Sequence, residues 1–404
     1  VVGAGPAGSA AAAQLAQAGL DVLLADRSEF PRDKVCGDGL IPDSHAALHR
    51  LGVHDEVMDQ AYTAEHFACV APRGGRVEVP GQVAVLPRRV LDHILQRHAL
   101  ARGARWLGGA RFVEPLAESA AGAAGPAGAD AVATRIVGAR LRQAEADIEV
   151  HCDWLVLATG AATPPLIAAG LCERREPSAM ALRGYVRAEG AAAARLRLPE
   201  VAWHRRLSGG YGWIFPCGQG VFNVGVGLSG PRASAGHVNL RQVFDTFCQV
   251  HPAAQALLAE GTALGEPKGA PLRFSLRGAR ASRPGLLAVG EAVGSTYALT
   301  GEGIGKALET GLAAAEALQA GGGDAAVRAR YEARLDALRP RFALYEKAER
   351  LNDHPWLADL LIWRARTSAR VLRGMSGVLE ETRDPAALVS GRGLLKLLLP
   401  LRVS

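Results

Sequence analysis

"VVGAGPAGSAAAAQLAQAGLDVLLADRS" occupies residues 1–28. It reads as the end of a strand already under way at Val1, a glycine turn, an Ala-rich helix stopped at Gly19, and an apolar strand from Asp21 to Ala25 that ends at Asp26. That order is a βαβ unit. Gly3, Gly5 and Gly8 fit G-x-G-x-x-G, and Asp26 follows Gly8 by 18 residues, where a carboxylate accepts hydrogen bonds from an adenosine ribose. Strand, helix and acid together make the glycine spacing specific. Arg27, next to the acid, lies either against an adenine or phosphate or on the surface.

Outward from this unit, "AVLPRRVLDHILQRHALARGARW" at 84–106 reads as a short strand running into an amphipathic helix, with Val90, Leu91, Ile94, Leu95 and Ala99 at helical spacing and Arg88 near its start. Residues 117–130, rich in Ala and Gly, read as a loop or hairpin tip. A buried strand, Trp154 to Ala158, ends in Thr159-Gly160, and another within "GLLAVGEAVG" at 285–294 ends in Gly290-Glu291. The second leads into a helix whose glycine-rich start leaves backbone N–H groups suited to a phosphate or a developing anion. Between them, 171–275 shows strand alternation and no further dinucleotide fingerprint.

The expected fold class is therefore α/β. A Rossmann-like, discontinuous nucleotide domain takes 1–50, 85–170 and 276–325; an α+β substrate domain takes 51–84 and 171–275; residues 326–404 form a C-terminal helical region, with loops near Pro355 and Pro385. A chain of 404 residues carries two or three such units.

Composition narrows the class. Hydrophobic residues are 49% and charged residues 21%, the balance of a globular chain at the apolar end of its class. The uncharged run from Val1 to Leu20 is broken by Gly3, Gly5, Pro6, Gly8 and Gly19 and makes a poor transmembrane helix. Cysteines at 36, 69, 152, 172, 217 and 248 form no Cys-x-x-Cys pair, so no disulfide framework is expected and a reducing cytoplasm is the default. His98, His204 and His251 stand alone, and no metal site is expected. The net charge is +6. Five of those charges gather from Arg364 onward, where eight basic residues face Glu380, Glu381 and Asp384. Such a tail is either a solvated set of helices or a face toward anionic lipid. It lacks the basic and aromatic interleaving of a nucleic-acid binder.

A second stretch, "YGWIFPCGQGVFNVGVG" at 211–227, carries a site of its own. On a strand Tyr211, Trp213 and Phe215 project to one face, Pro216 closes the strand, "CGQG" turns, and the returning strand brings Gly225 and Gly227 without side chains. The expectation is an aromatic wall with a space beside it, fit for a flat ring or a greasy chain. Aromatic core packing is the alternative.

In their order, the glycine fingerprint with Asp26, the Arg88 helix, Ala158-Thr159-Gly160 and Gly290-Glu291 resemble the para-hydroxybenzoate hydroxylase-like FAD enzymes. Pro31-x-x-Lys34-x-Cys36-Gly37-x-Gly39 and Tyr211-x-Trp213-x-Phe215-Pro216 with Gly225-x-Gly227 are similar to the geranylgeranyl reductase family within that group. The resemblance implies FAD, held by Gly3, Gly5, Gly8, Asp26, Arg27, Lys34, Gly37, Arg88, Gly160, Glu291, Gly301, Gly303 and Ile304. Glu291 stands where the family usually has an Asp on the ribityl chain, and Ala298 and Ser208 stand where it usually has Pro.

The implied reaction saturates isolated C=C bonds in a prenyl (geranylgeranyl-type) chain on a lipid, quinone or related isoprenoid, with hydride from a reduced flavin and a proton from a nearby acid. Cys36, Tyr211 and Trp213 are the implied catalytic residues, and Tyr211, Trp213, Phe215, Gly225 and Gly227 the substrate wall. No nicotinamide domain is visible, so electrons come from outside, from NADPH, NADH or a protein donor. The alternative is an FAD-dependent monooxygenase acting on an aromatic or polyketide. Halogenation is disfavoured, because no lysine lies between Lys34 and Lys268. An escort protein that binds prenyl chains without chemistry is a further alternative, set aside because the glycine fingerprint is intact.

Two questions stay open at this level. "LLKLLLPL" at 394–401, flanked by Arg392 and Arg402, either lies in a membrane interface as a peripheral contact on the inner face or packs on the protein. Cys36, beside Lys34 on the loop leaving the βαβ unit, either acts chemically, as a proton donor or local charge with a lowered pKa, or fills space next to the cofactor.

Overall fold

Val2 is the hinge of the architecture. In the computed structural model, which describes residues 1–118, 134–173, 177–207, 209–229, 238–389 and 393, it bridges the strands Leu23–Ala25 and Leu155–Leu157 in parallel. Arg105–Leu107 pairs in parallel beyond the first, and Leu286–Ala288 beyond the second. These short apolar strands are a Rossmann-type parallel sheet with the βαβ unit at its centre. The helices Pro6–Gln17, Arg88–Ala101 and Ile304–Gln319 cover one face in a shared core of Ala10, Ala13, Leu91, Leu95, Leu308 and Leu312. An antiparallel sheet of Ala110–Ala117, Ile136–Gln143 and Ala146–His151 stands on the other side. Residues 119–130 of the expected hairpin tip lie outside the described residues.

A nine-stranded sheet forms the second layer, with Ala179–Arg187, Gly210–Gly218 and Val221–Ser229 beside Tyr62–Val70 and Arg76–Val85. Strand alternation sorts its faces. Ile214 and Val224 turn toward the helices Leu240–Val250 and Pro252–Glu260, and a Cβ on Gly212 would lie 2.4 Å from the Phe247 ring. Trp213 turns the other way, into a core with Val77, Val201, Ile362 and Ala365.

Three boundaries differ from the sequence reading. Leu51, Val53 and Val57, expected in the substrate domain, pack in the core of the glycine helix, because the helices Pro42–Leu51 and His54–Met58 precede the sheet. Gly39–Leu40, expected in the nucleotide segment, pairs with Ala84–Val85 as an edge of the large sheet. Pro355 and Pro385, expected in loops, each open a helix, Pro355–Ala365 and Pro385–Val389, since proline at the first helical position gives up an N–H that has no partner there. Ser208 and the run 394–401 lie outside the described residues.

Candidate active site

A single cavity of about 810 Å³ runs from the first glycine turn to the large sheet and on to the C-terminal helices. Its nucleotide end is made of backbone. Gly3 has φ +102°, and a Cβ there would lie 2.2 Å from the carbonyl oxygen of Ala158; one on Gly8 would lie 1.8 Å from the carbonyl oxygen of Gly3. Gly8 packs behind this turn rather than lining the cavity. Gly5 is open, with the guanidinium groups of Arg88 and Arg32 at 3.7 and 3.8 Å from where its Cβ would stand. It caps the helix Pro6–Gln17 without a side-chain hydrogen bond, which leaves the first-turn N–H groups available to an anion.

Asp26 is buried and accepts hydrogen bonds from Ala4 N at 2.8 Å and Ser28 N at 2.9 Å, which fix its carboxylate at the cavity edge. Arg27 is exposed at the rim. The Arg88 guanidinium donates to both carboxylate oxygens of Asp92 at 2.7 and 2.8 Å, and Arg32, which the sequence reading missed, reaches the same acid at 2.8 Å. Across the cavity, Gly301, Gly303 and Ile304 open the helix Ile304–Gln319, again with no side-chain cap. Gly160 and Glu291 line the wall between the two helix starts, and Glu291 Oε1 lies 3.4 Å from Arg273 N and 3.5 Å from the Thr296 hydroxyl. Two uncapped helix starts, two guanidinium groups and a fixed carboxylate suit an adenine dinucleotide.

The other end is aromatic. Trp203, Tyr211, Trp213 and Phe215 follow one another with ring centroids 6.2 to 6.3 Å apart, and Phe67 meets Phe215 edge-on at 5.8 Å. The space expected over Gly225 is filled by the protein itself, and that over Gly227 stays open. A Cβ on Gly225 would lie 2.2 Å from the Trp213 ring, so that glycine seats the indole and does not line the cavity, while Gly227 does. Gly37, expected against the cofactor, and Gly39 line the cavity beside Phe215, where an added Cβ would lie 3.3 and 3.4 Å from the ring. The cavity closes against Leu361, Ile362, Met375 and Leu379 of the helices Pro355–Ala365 and Ala369–Leu379, which no motif signalled.

Asp38 joins the halves. It is fully buried at φ +67°, accepts from Tyr185 O–H at 2.6 Å, Asn223 Nδ2 at 2.7 Å and Arg88 N at 3.1 Å, and burial raises its pKa to about 6. Asn223 also donates to the Cys36 carbonyl at 2.8 Å and accepts from the Trp213 indole N–H at 2.9 Å. The Cys36 loop is held from below by Arg183, which pairs with Asp33 and donates to the Lys34 carbonyl at 3.3 Å. Lys34 lines the cavity with Nζ 3.3 Å from the Val35 carbonyl. None of Asp38, Tyr185, Arg183 or Asn223 was singled out in the sequence; the one local sign was a non-glycine between Gly37 and Gly39.

The three implied catalytic residues differ. Trp213 spends its N–H on Asn223, and Tyr211 donates its O–H to the Thr300 carbonyl, so both build the wall. Cys36 keeps its proton: burial pushes the thiol up, against the pull of the Arg88 guanidinium. The lowered pKa expected of it is not found, because desolvation outweighs the neighbouring cation. Glu302, between Gly301 and Gly303, accepts from the Thr300 hydroxyl at 3.1 Å; burial, with Asp43 and Glu381 nearby, raises it to about 8.

Residues 1–183 match the FAD binding domain family. A menaquinone reductase of Mycolicibacterium smegmatis is 32% identical over 80% of this chain and 76% of its own. A digeranylgeranylglycerophospholipid reductase of Methanopyrus kandleri is 31% identical over 83% of this chain and 81% of its own. The chain belongs to the geranylgeranyl reductase family of FAD-dependent oxidoreductases. In fold, this geranylgeranyl reductase family member is similar to a geranylgeranyl bacteriochlorophyll reductase-like protein of Thermoplasma acidophilum, with TM-score 0.66 at 21% identity over 98% of this chain and 94% of the other. The match to the FAD binding domain makes FAD the cofactor, and the donors described above fit its adenine dinucleotide.

Proposed function

We propose that this enzyme saturates C=C bonds of a prenyl chain carried on a lipid or quinone, with electrons from an external donor, a nicotinamide or a protein. The observation that carries the reading is the continuity of one cavity from the dinucleotide end to a wall of aromatic and aliphatic side chains, since an unactivated alkene offers no polar handle and is held by shape and dryness. When bound and reduced, FAD supplies the hydride. The chain supplies the rest. Trp203, Tyr211, Phe215 and the C-terminal helices orient the apolar chain and exclude water. Cys36 holds a proton at Sγ and gives it to the second alkene carbon, and the thiolate left behind rests against the Arg88 guanidinium and the Asp38 N–H. Gly3, Gly5, Asp26, Arg32 and Arg88 hold the dinucleotide.

The test incubates the purified yellow protein anaerobically with dithionite and a geranylgeranylated lipid or a polyprenyl quinone, followed by mass spectrometry. A ladder of two-dalton additions supports the reading. No ladder across several prenyl lipids, with oxygen-dependent additions of one oxygen to aromatics, overturns it. Cys36→Ala is expected to slow reduction at least about 100-fold while FAD stays bound. Full turnover by that variant leaves Cys36 a filler.

A further inference from the structure

The outer face of the cavity wall carries the two most exposed large hydrophobic side chains among the described residues, Trp356 at 55% and Trp363 at 54%. They lie seven residues apart on the helix Pro355–Ala365, hence on one side about two turns apart, with half-buried Leu360 between them. The opposite side of the same helix, through Ala358, Leu361 and Ile362, lines the cavity. One helix thus separates the apolar interior from the tryptophans.

The exposed charges of this helix and the next lean basic, with Arg366, Arg370 and Arg373 against Asp353 and Glu380 at the two ends. Residues 354–379 hold four arginines and a single acid, Asp359. That acid accepts from the Arg73 backbone N–H at 2.9 Å, with the exposed Arg73 guanidinium at 3.8 Å. Arg366, Arg370 and Arg373 are exposed. Tryptophan is the side chain whose amphipathic ring settles at the level of lipid headgroups, and arginines near such a plane are drawn to anionic lipid.

We propose that the Trp356–Trp363 face docks on an anionic bilayer surface. The rings enter the interface, Arg366, Arg370 and Arg373 meet the headgroup phosphates, and the cavity lies one helix away from the acyl region. This contact is distinct from the run 394–401. It goes beyond the reaction proposed above, and a vesicle assay reads it without any turnover, so the two readings fail separately.

The full chain is sedimented with vesicles of phosphatidylcholine and phosphatidylglycerol in equal parts, and with phosphatidylcholine alone. The wild type is expected to pellet with the anionic vesicles and less with the neutral ones. W356S/W363S is expected to bind at least about ten-fold more weakly, and R366E/R370E/R373E to lose the preference for the anionic vesicles. Flavin absorbance and thermal midpoint equal to wild type certify folding, and if one variant fails that control the other decides. The proposal is overturned if wild type pellets with neither vesicle. It also falls if both folded variants pellet as wild type while removal of 394–404 abolishes binding. A change in solution mass in the variants, with vesicle binding intact, makes the face a protein contact and overturns it as well.

Discussion

The two ends of the cavity are built from different materials. At the dinucleotide end most donors are backbone groups of Gly3 to Ala7 and Gly301 to Ile304, joined by the Arg32 and Arg88 guanidinium groups, with Asp26 fixed by two backbone N–H groups. At the aromatic end the wall is side chains from segments near 36, 67, 203–227 and 358–379, joined by Asp38 and Asn223. A backbone site tolerates almost any neighbour and no added atom. A side-chain site depends on partners distant in the chain, and damage to it stays on its own side.

Two alanine substitutions of glycine separate these behaviours. Gly8→Ala has the largest expected effect, because its Cβ falls 1.8 Å from a backbone oxygen of the glycine turn. The helix and strand must part, at a cost beyond about 4 kcal/mol. The protein is expected to purify colourless with an early thermal transition, and a yellow Gly8→Ala protein breaks the comparison.

Gly225→Ala is the counterpart. Its Cβ falls 2.2 Å from the Trp213 ring, a side chain that is itself buried, so overpacking costs about 1–3 kcal/mol and displaces the indole. Flavin absorbance is expected to persist while reduction of a prenyl substrate falls at least about ten-fold. Loss of the flavin in this variant means that the two ends are one unit.

Trp213→Phe is gentler. It keeps most of the ring and removes the N–H given to Asn223 at 2.9 Å, leaving the amide oxygen unpaired at a cost of about 1 kcal/mol. Urea unfolding of the FAD-bound protein is expected to show that loss, and Asn223→Leu in the same background to cost at least about 2 kcal/mol more, because it also strips the bonds to the Cys36 carbonyl and to buried Asp38.

The same contrast governs what the sequence disclosed. The βαβ unit, Asp26, the Arg88 helix and the glycines at 301 and 303 were legible because a backbone site demands glycine at fixed spacing and apolar runs on either side. The aromatic row was legible as a strand face through the alternation of Tyr211, Trp213 and Phe215. Its occupant was not, because the fate of the space over Gly225 depends on the rotamer of Trp213, which Asn223 fixes from the opposing strand. Asp38 and Arg183 act across 185 and 150 residues of chain, and no local pattern announces such pairs. The C-terminal helices read only as helices. That their inner faces complete the cavity follows from docking on the sheet through Ile362 and Ala365.

The smallest expected effect lies where the two ends meet, at Glu302. Burial, and then the carboxylates of Asp43 and Glu381, raise its pKa from 4.5 to about 8, with the Thr300 hydroxyl and Lys306 pulling the other way. A carboxyl raised on folding contributes stability that is fully present below pH 4.5 and is lost as pH rises through about 8. Asp43, raised from 3.8 to about 6, has the same sign in a lower window, which is spent before Glu302 finishes titrating. Glu302→Gln removes only the upper window. Thermal midpoints of the FAD-bound enzyme are expected to fall between pH 6 and pH 8.5 in wild type and to stay flatter in the variant, by about 2 °C. Equal slopes overturn the assignment. If the slope flattens and the flavin dissociates as well, the boundary between a backbone end and a side-chain end fails at this residue, because the carboxyl then holds both.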